Sequence, residues 1–322
     1  MRVLSVYQDE RLASSRVRVL QMVPHLAAVG VTSECVSYPS GLGALRALTK
    51  RARKFDAVLL QKKLPSFVDA LLWRTLSVPF VYDFDDAVML CQTPNNGQWA
   101  SGTRTRRFER ITRIASAVSS GNRWLGQCTG RAPNVIPSPV PFPVAGHTHA
   151  EADRPVIGWI GGKGNLASLD EVAPALQTLA GRREFVLRVI ANVDYVLAGV
   201  NVENVRWSLD TQETQLAQLD IGLMPLEDTP WSRGKCSYKL LQYMAAGVLA
   251  VGSAVGMNNE VIASGKNGLL VDAGADWTPV LERALDDAAL RGVLGAAGRA
   301  TVEERYTYEV CAGLWRELFE GL

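Results

Sequence analysis

Long apolar runs are missing from this 322-residue chain: although 48% of its residues are hydrophobic, none approaches the roughly 18 consecutive apolar positions that a membrane-crossing helix needs. Cysteine is scarce and odd in number. Cys35, Cys91, Cys128, Cys236 and Cys311 show no CxxC or His-paired spacing, which predicts reduced, mostly buried thiols and no zinc site. Cys236 has Lys235 and Lys239 nearby, which would lower its pKa, but a packing role is the preferred reading. Histidine is rarer still, and the His147/His149 alternation lacks a third ligand, so it is read as a solvated loop. Neither half contains a G-x-G-x-x-G fingerprint after its first strand, which argues against a dinucleotide-dependent oxidoreductase. No internal repeat or low-complexity tract appears. Met1-Arg-Val-Leu-Ser-Val-Tyr7 is interrupted too soon by Gln8-Asp-Glu-Arg11 to read as a secretory leader. It is taken as a buried strand, and the chain is expected in the cytosol.

The near-neutral net charge of +2 hides a division. Residues 1–150 hold 19 basic against 9 acidic side chains, whereas residues 151–322 hold 15 against 23. Two runs concentrate the basic charge, Arg46 to Lys54 and Arg104 to Arg113, both with apolar residues at helical spacing. Such helices suit an anionic membrane surface or a phosphorylated acceptor, with a merely solvated face as the plain alternative. Nucleic acid is disfavoured because neither run is interleaved with aromatics.

Short apolar segments alternate with helical ones in both halves, the pattern of parallel, doubly wound α/β sheets. Strands are expected near 2–7, 32–37, 57–61, 80–83 and 116–119, then near 156–160, 185–190, 204–206, 220–224, 248–252 and 268–271. Residues 134–153, rich in proline and then polar, read as a linker. The expected organisation is a basic first domain (1–140), a linker (141–154), a second domain (155–306) and a terminal helix (307–322) that packs with Trp315 and Leu318.

Three strand ends carry candidate chemistry. After Leu12-Ala-Ser-Ser-Arg-Val-Arg18, Ser14 or Ser15 is expected to cap a helix and place Arg16 at its N-terminus, where an anion is bound. Val81-Tyr-Asp-Phe-Asp-Asp86 puts three carboxylates at the carboxyl end of a strand, and Asp83 and Asp85, two apart, should point the same way. They would act on an acceptor hydroxyl or, as a DxD motif, hold a divalent cation; helix capping accounts for only one of them. Ile157-Gly-Trp-Ile-Gly-Gly-Lys-Gly-Asn165 offers a turn in which Gly161 and Gly162 let backbone amides approach a diphosphate beside Lys163.

The richest stretch begins at Asp220. A strand runs into a loop with Pro225, Pro230 and Gly234, and Ser237 is expected to cap a helix that stops at Gly247. If helical geometry reaches back to Lys235, then Lys235, Lys239 and Gln242 form one polar stripe. Leu223 to Gly247, with Lys239-Leu-Leu-Gln-Tyr-Met-Ala-Ala-Gly247, Val248 to Ser253, and Glu260-Val-Ile-x4-Asn267-Gly-Leu-Leu-Val271, resembles the donor half of family-4-type retaining glycosyltransferases with the two-Rossmann-domain (GT-B) fold. Weaker similarity covers Met1–Glu34, Val78–Val88 and Val135–Leu179.

The resemblance implies two Rossmann-like domains facing a cleft, a terminal helix crossing back to the first, and a nucleoside-diphosphate sugar as donor, transferred with retention and without metal or other cofactor. It implies that the 161–164 turn, Lys235, Ser237 and Lys239 hold the diphosphate, Gln242 the ribose and Glu260 the loop or sugar, with Arg16, Asp83, Asp85 and Asp86 on the acceptor side. The family's two Glu residues fall here on Gly234 and Gln242, so both carboxylates are absent. A sugar-nucleotide epimerase of the same fold, or a non-catalytic sugar-nucleotide binder, are the alternatives. The base, the sugar, the acceptor and the oligomeric state are not read from the sequence.

Overall fold

Strands such as Ala57–Gln61 and Phe80–Phe84 carry no exposed residue, as strands of a parallel sheet covered on both faces must. A computed structural model, which describes residues 1–143, 147 and 154–322, resolves two units. The first comprises Met1–Pro139, Arg233–Cys236 and Tyr308–Leu322; the second comprises Val140–Ser232 and Ser237–Thr307.

The first unit holds β1 (Arg2–Tyr7), β2 (Thr32–Ser37), β3 (Ala57–Gln61), β4 (Phe80–Phe84), β5 (Leu90–Asn95), β6 (Gln98–Ala100), β7 (Ala117–Ser120) and β8 (Asn134–Val135). Six of these form one parallel sheet in the order β2-β1-β3-β4-β7-β8, with Val6 opposite Leu60 and Gln61 opposite Asp83. The β5–β6 hairpin was not anticipated. It is short, polar and mostly exposed, and so lacks the apolar alternation that marks a strand in sequence. β8 also corrects the linker reading: Asn134 and Val135 add to the sheet beside β7, and Ile136, Ser138 and Val140 are buried. The seven consecutive positions 134–140 are thus sheet or core where proline content suggested a tether.

Right-handed crossovers decide where the helices lie. Helices Leu42–Ala52, Phe67–Arg74 and Gly102–Ile114 link β2 to β3, β3 to β4 and β4 to β7, all stepping the same way along the sheet, so they share one face. On that face Trp73 lies 5.6 Å from Phe80 and Phe84 lies 5.1 Å from Phe108, ring centre to ring centre. Helix Val23–Ala28 steps back from β1 to β2 and lies on the other face, where Val3, Ala57, Leu59 and Val81 share a core with Leu26, Cys311, Trp315 and Phe319. The last three belong to helix Tyr308–Glu320, whose Tyr308 hydroxyl donates to Gln21 Oε1 at 2.8 Å.

The second unit holds β9 (Val156–Ile160), β10 (Val186–Ala191), β11 (Val202–Arg206), β12 (Ile221–Met224), β13 (Leu249–Ser253) and β14 (Leu269–Val271), all parallel, in the order β11-β10-β9-β12-β13-β14. Its core is aliphatic around Trp159, Leu187, Ile221 and Val251. In each sheet the strand order reverses beside the first strand, between β1 and β3 and between β9 and β12. Open α/β sheets bind ligands outside the carboxyl ends at such a reversal. The loops at these reversals are those after β1, β3 and β4 and those after β9 and β12.

Candidate active site

In the first unit the reversal brings together residues distant in sequence. Lys62, directly after β3, has a left-handed backbone (φ +62°) that few residues with a side chain adopt. Its amide donates to the Asp83 carbonyl at 2.7 Å, which holds the turn and swings its side chain across the strand ends. There the ammonium forms a close ion pair with Asp86, lies 3.2 Å from Asp85 Oδ1 and donates to Ser14 Oγ at 3.3 Å. Burial alone would depress the Lys62 pKa; Asp85 and Asp86 outweigh it and hold it above the ordinary lysine range. Burial raises the Asp86 carboxyl, Lys62 opposes the rise and Asp85 adds to it. For Lys235 burial again leads, pulling the ammonium below its usual range against the attraction of Asp86.

Asp83 does not join this group. Its carboxylate takes a two-pronged contact from Arg18, Nε to Oδ2 at 2.8 Å and Nη2 to Oδ1 at 2.6 Å, while Arg18 Nη1 donates to the Ile136 carbonyl and Ser138 Oγ. Both side chains are fully buried. The expectation that Asp83 and Asp85 point the same way fails because β4 ends at Phe84, and the chain bends at Asp85 before the strand alternation can carry over. The expected serine caps fail too. Leu12 is the N-cap residue of the short helix Ala13–Ser15, Ser15 Oγ donates to Gln61 Oε1 at 3.1 Å, and half-buried Arg16 is the first residue of the π-helical segment Arg16–Leu20 that continues it.

Arg233–Cys236 also belongs to this unit. Asn122 Nδ2 donates to the carbonyls of Arg233 (3.2 Å) and Lys235 (3.0 Å), and the Cys236 thiol donates to the Asp85 carbonyl at 3.1 Å. Lys235 therefore lies outside the helix, which starts at Tyr238, and the expected Lys235–Lys239–Gln242 stripe does not form. The Cys236 thiol is not activated: burial, then Asp85, push its pKa up, against the expected effect of its lysine neighbours. At Gly234 an added Cβ would lie 2.8 Å from Ala87 Cβ and 3.0 Å from its amide nitrogen. The position where the resembled family has a Glu thus has no room for a side chain.

In the second unit, β9 ends under Trp159, whose ring packs against Gly161. A Cβ at Gly161 would meet that ring at 2.5 Å and the Lys239 side chain at 3.1 Å. The Lys239 ammonium stands 4.9 Å from the Trp159 ring centre. The glycine turn after β9 and the first turn of helix Tyr238–Ala245, 78 positions apart, are thereby brought side by side. Gly162 and Lys163 are exposed, and Lys163 opens the 3-10 segment Lys163–Glu171.

Ser237 occupies the N-cap position but does not cap. Its backbone is left-handed (φ +49°) and its hydroxyl donates to Asn258 Oδ1 at 2.7 Å, while Asn258 Nδ2 donates to the Ser253 carbonyl at 2.9 Å. Gln242 is buried and, with Pro141, Pro143, Gln212 and Leu216, lines a shallow surface hollow. Glu260 is exposed in the turn Asn258–Val261. His147 is held rather than solvated, with Nδ1 2.6 Å from the Ala217 carbonyl; His149 lies outside the described residues. Among the described residues no three His, Cys, Asp or Glu side chains gather as a cation site.

Sequence reasoning passed over Lys62, Arg18, Asn122 and Trp159. Lys62 was the most accessible of these, since it directly follows an apolar strand, the same signal that drew attention to Asp83–Asp86. Arg18 and Asn122 owe their roles to partners 65 and 111 residues away, which no local pattern announces.

Comparison with known proteins gives these two sheets a class. Residues 154–287 match the family model described as glycosyl transferases group 1. Among solved structures the chain is similar to sucrose-phosphate synthase from Thermosynechococcus elongatus (TM-score 0.76, 13% identity, all of both chains) and to a glycosyltransferase from Rickettsia africae (0.72, 12%, 99% of this chain and 98% of that one). It is also similar to Anabaena HepE in complex with UDP-glucose (0.72, 14%, all of both chains). No curated protein matches. The fold is that of the GT-B glycosyltransferases, as expected, and the stretch that matches the group 1 model falls almost wholly in the second unit.

Proposed function

We propose that the chain transfers a sugar from a nucleoside diphosphate to an acceptor hydroxyl, in the manner of the family-4-type retaining enzymes and without a metal ion. The observation that carries this reading is the meeting of Gly161, Trp159 and Lys239: a side-chain-free backbone turn with an ammonium fixed beside it by an aromatic face. A diphosphate placed on that turn receives backbone N–H groups and a positive charge together. As the bond from the sugar's anomeric carbon to the diphosphate oxygen breaks, negative charge grows on the leaving group, and preorganised donors of this kind act most strongly there. Lys163 supplies further charge, Gln242 binds the ribose through its amide, and Ser237 and Glu260 line the donor side.

On the acceptor side, Asp85 and Asp86 are the carboxylates free of the Arg18 pair, and Arg16 attracts an anionic group. The acceptor oxygen bonds to the anomeric carbon and its proton passes to Asp86, whose carboxyl burial raises above the ordinary carboxylate range and so makes a stronger base. The acceptor is anionic or membrane-linked, and the enzyme acts from the cytosolic side. A non-catalytic sugar-nucleotide binder is the second reading, favoured by the closed space at Gly234.

Thermal melting with UDP-glucose, then with GDP-, TDP- and ADP-sugars, each with and without Mn²⁺, tests the donor site. A ligand at about one hundred times its dissociation constant adds about 2.7 kcal/mol of stability. Metal-independent stabilisation by one nucleotide class is expected; none by any of them would refute the reading. Release of free nucleotide by the stabilising donor separates an enzyme from a binder.

A further inference from the structure

The three helices on one face of the first sheet leave apolar side chains in solvent that the core does not use. Phe67 is 60% exposed, Val68 48% and Leu71 46%, all on helix Phe67–Arg74, and Leu42 of the adjoining helix Leu42–Ala52 is 51% exposed. Phe67 and Leu71 are one turn apart and Val68 lies between them, so they form one ridge. Around the ridge basic side chains far outnumber acidic ones, although Arg51 is paired with Glu34 of β2. The three helices carry Arg46, Lys50, Arg51, Arg74, Arg104, Arg106, Arg107, Arg110 and Arg113 against two carboxylates, Asp69 and Glu109. Asp69 is engaged in the capping box with Ser66 at the start of its own helix. Arg110 reaches across from the neighbouring helix to place its guanidinium 5.0 Å from the Phe67 ring centre.

We propose that this face docks on an anionic lipid bilayer, with Phe67, Val68, Leu71 and Leu42 entering the headgroup–acyl boundary and the surrounding arginines and lysines meeting lipid phosphates. The chemistry selects that partner. Three of the four exposed apolar side chains are aliphatic and offer no ring for a base to stack on, and the fourth is already covered by Arg110, so single-stranded nucleic acid finds no stacking platform. Aliphatic residues within a cationic rim match a surface that is hydrocarbon beneath anionic phosphate. The inference rests on the membrane-linked acceptor of the proposed function for its purpose, not for its physics, and it is tested without any sugar nucleotide.

The full-length chain is floated with phosphatidylcholine vesicles and with vesicles also containing phosphatidylglycerol, at low and high salt. The expected result is capture by the anionic vesicles only, reduced by salt. The paired substitutions Phe67→Ser with Leu71→Ser, and Arg106→Glu with Arg107→Glu, each weaken capture about tenfold or more. All four side chains are surface ones, and melting temperatures matching the unchanged protein verify folding; Val68→Ser with Leu42→Ser replaces the first pair if it melts early. Absence of binding to anionic vesicles overturns the proposal. So does unchanged capture of the apolar variants, or binding to a short RNA that matches vesicle binding and ignores the apolar substitutions. A UDP-glucose thermal shift present without vesicle capture sinks the docking surface alone, whereas capture without any donor shift sinks the donor reading alone.

Discussion

The two sheets end in loops of opposite chemistry. After β3 and β4 of the first unit, charge is dense and mutually engaged: Arg18 with Asp83, and Lys62 with both Asp85 and Asp86. After β9 of the second, the chain offers bare glycine backbone, an aromatic face and the Lys239 ammonium above it. The difference teaches that similar topology at a strand-order reversal serves two purposes. One loop cluster fixes carboxylates in place with counter-charges, and the other keeps room and positive potential for a ligand that brings its own negative charge.

The comparison breaks most visibly at Arg18. Arg18→Met strands a fully buried carboxylate at Asp83 and should cost about 3–5 kcal/mol, read as a lower urea midpoint, whereas Arg18→Met combined with Asp83→Leu should recover most of the loss. In the second unit, Lys239→Ala should lower the melting temperature of the unliganded protein only modestly, by losing the ammonium's contact with the Trp159 ring. It should weaken donor binding by about 1.5–3 kcal/mol, roughly ten- to hundredfold by calorimetry, because a charged donor to the diphosphate is gone. Gly161→Ala drives a methyl to within 2.5 Å of the Trp159 ring, and overpacking of this kind costs about 1–3 kcal/mol, seen as a lower melting temperature together with weaker donor binding.

The smallest expected effect sharpens the acceptor side. Turnover that needs ionised Asp86 falls on the acid side as that carboxyl takes up a proton. Lys62 holds the Asp86 pKa down against the upward push of burial and Asp85, so removing the ammonium in Lys62→Met lets the pKa climb. The acid limb of the kcat/KM profile then moves to higher pH. An unmoved limb would mean that Asp86 is not the base.

Much of the architecture was legible in the sequence because parallel strands buried on both faces are largely apolar: β1, β3 and β9 fall on the expected residues, and the polar edge strand β2 does so as well. The β5–β6 hairpin was not, since its residues face solvent and bear no periodic signature. Ser237 illustrates the limit at the site. Its type and position spelled an N-cap, yet Asn258, 21 residues later, offers a buried acceptor that draws the hydroxyl away. Asp83 was likewise correct as a strand-end carboxylate and misjudged in role, because its partner Arg18 sits 65 residues earlier on another element. Local pattern names the residue types gathered at a strand end; long-range pairing decides which of them are spent on each other.

The chain enters the first unit three times, at Met1–Pro139, at Arg233–Cys236 and at Tyr308–Leu322. Trp315 and Phe319, from the last of these visits, complete the apolar cover over Val3, Leu59 and Val81. A ribosome therefore finishes the second unit's segments before it supplies what the first unit still needs, and the part begun earliest is the part whose core closes last. Cutting the gene near residue 140 would not release a self-sufficient half, because one face of its sheet would be left without its covering helix.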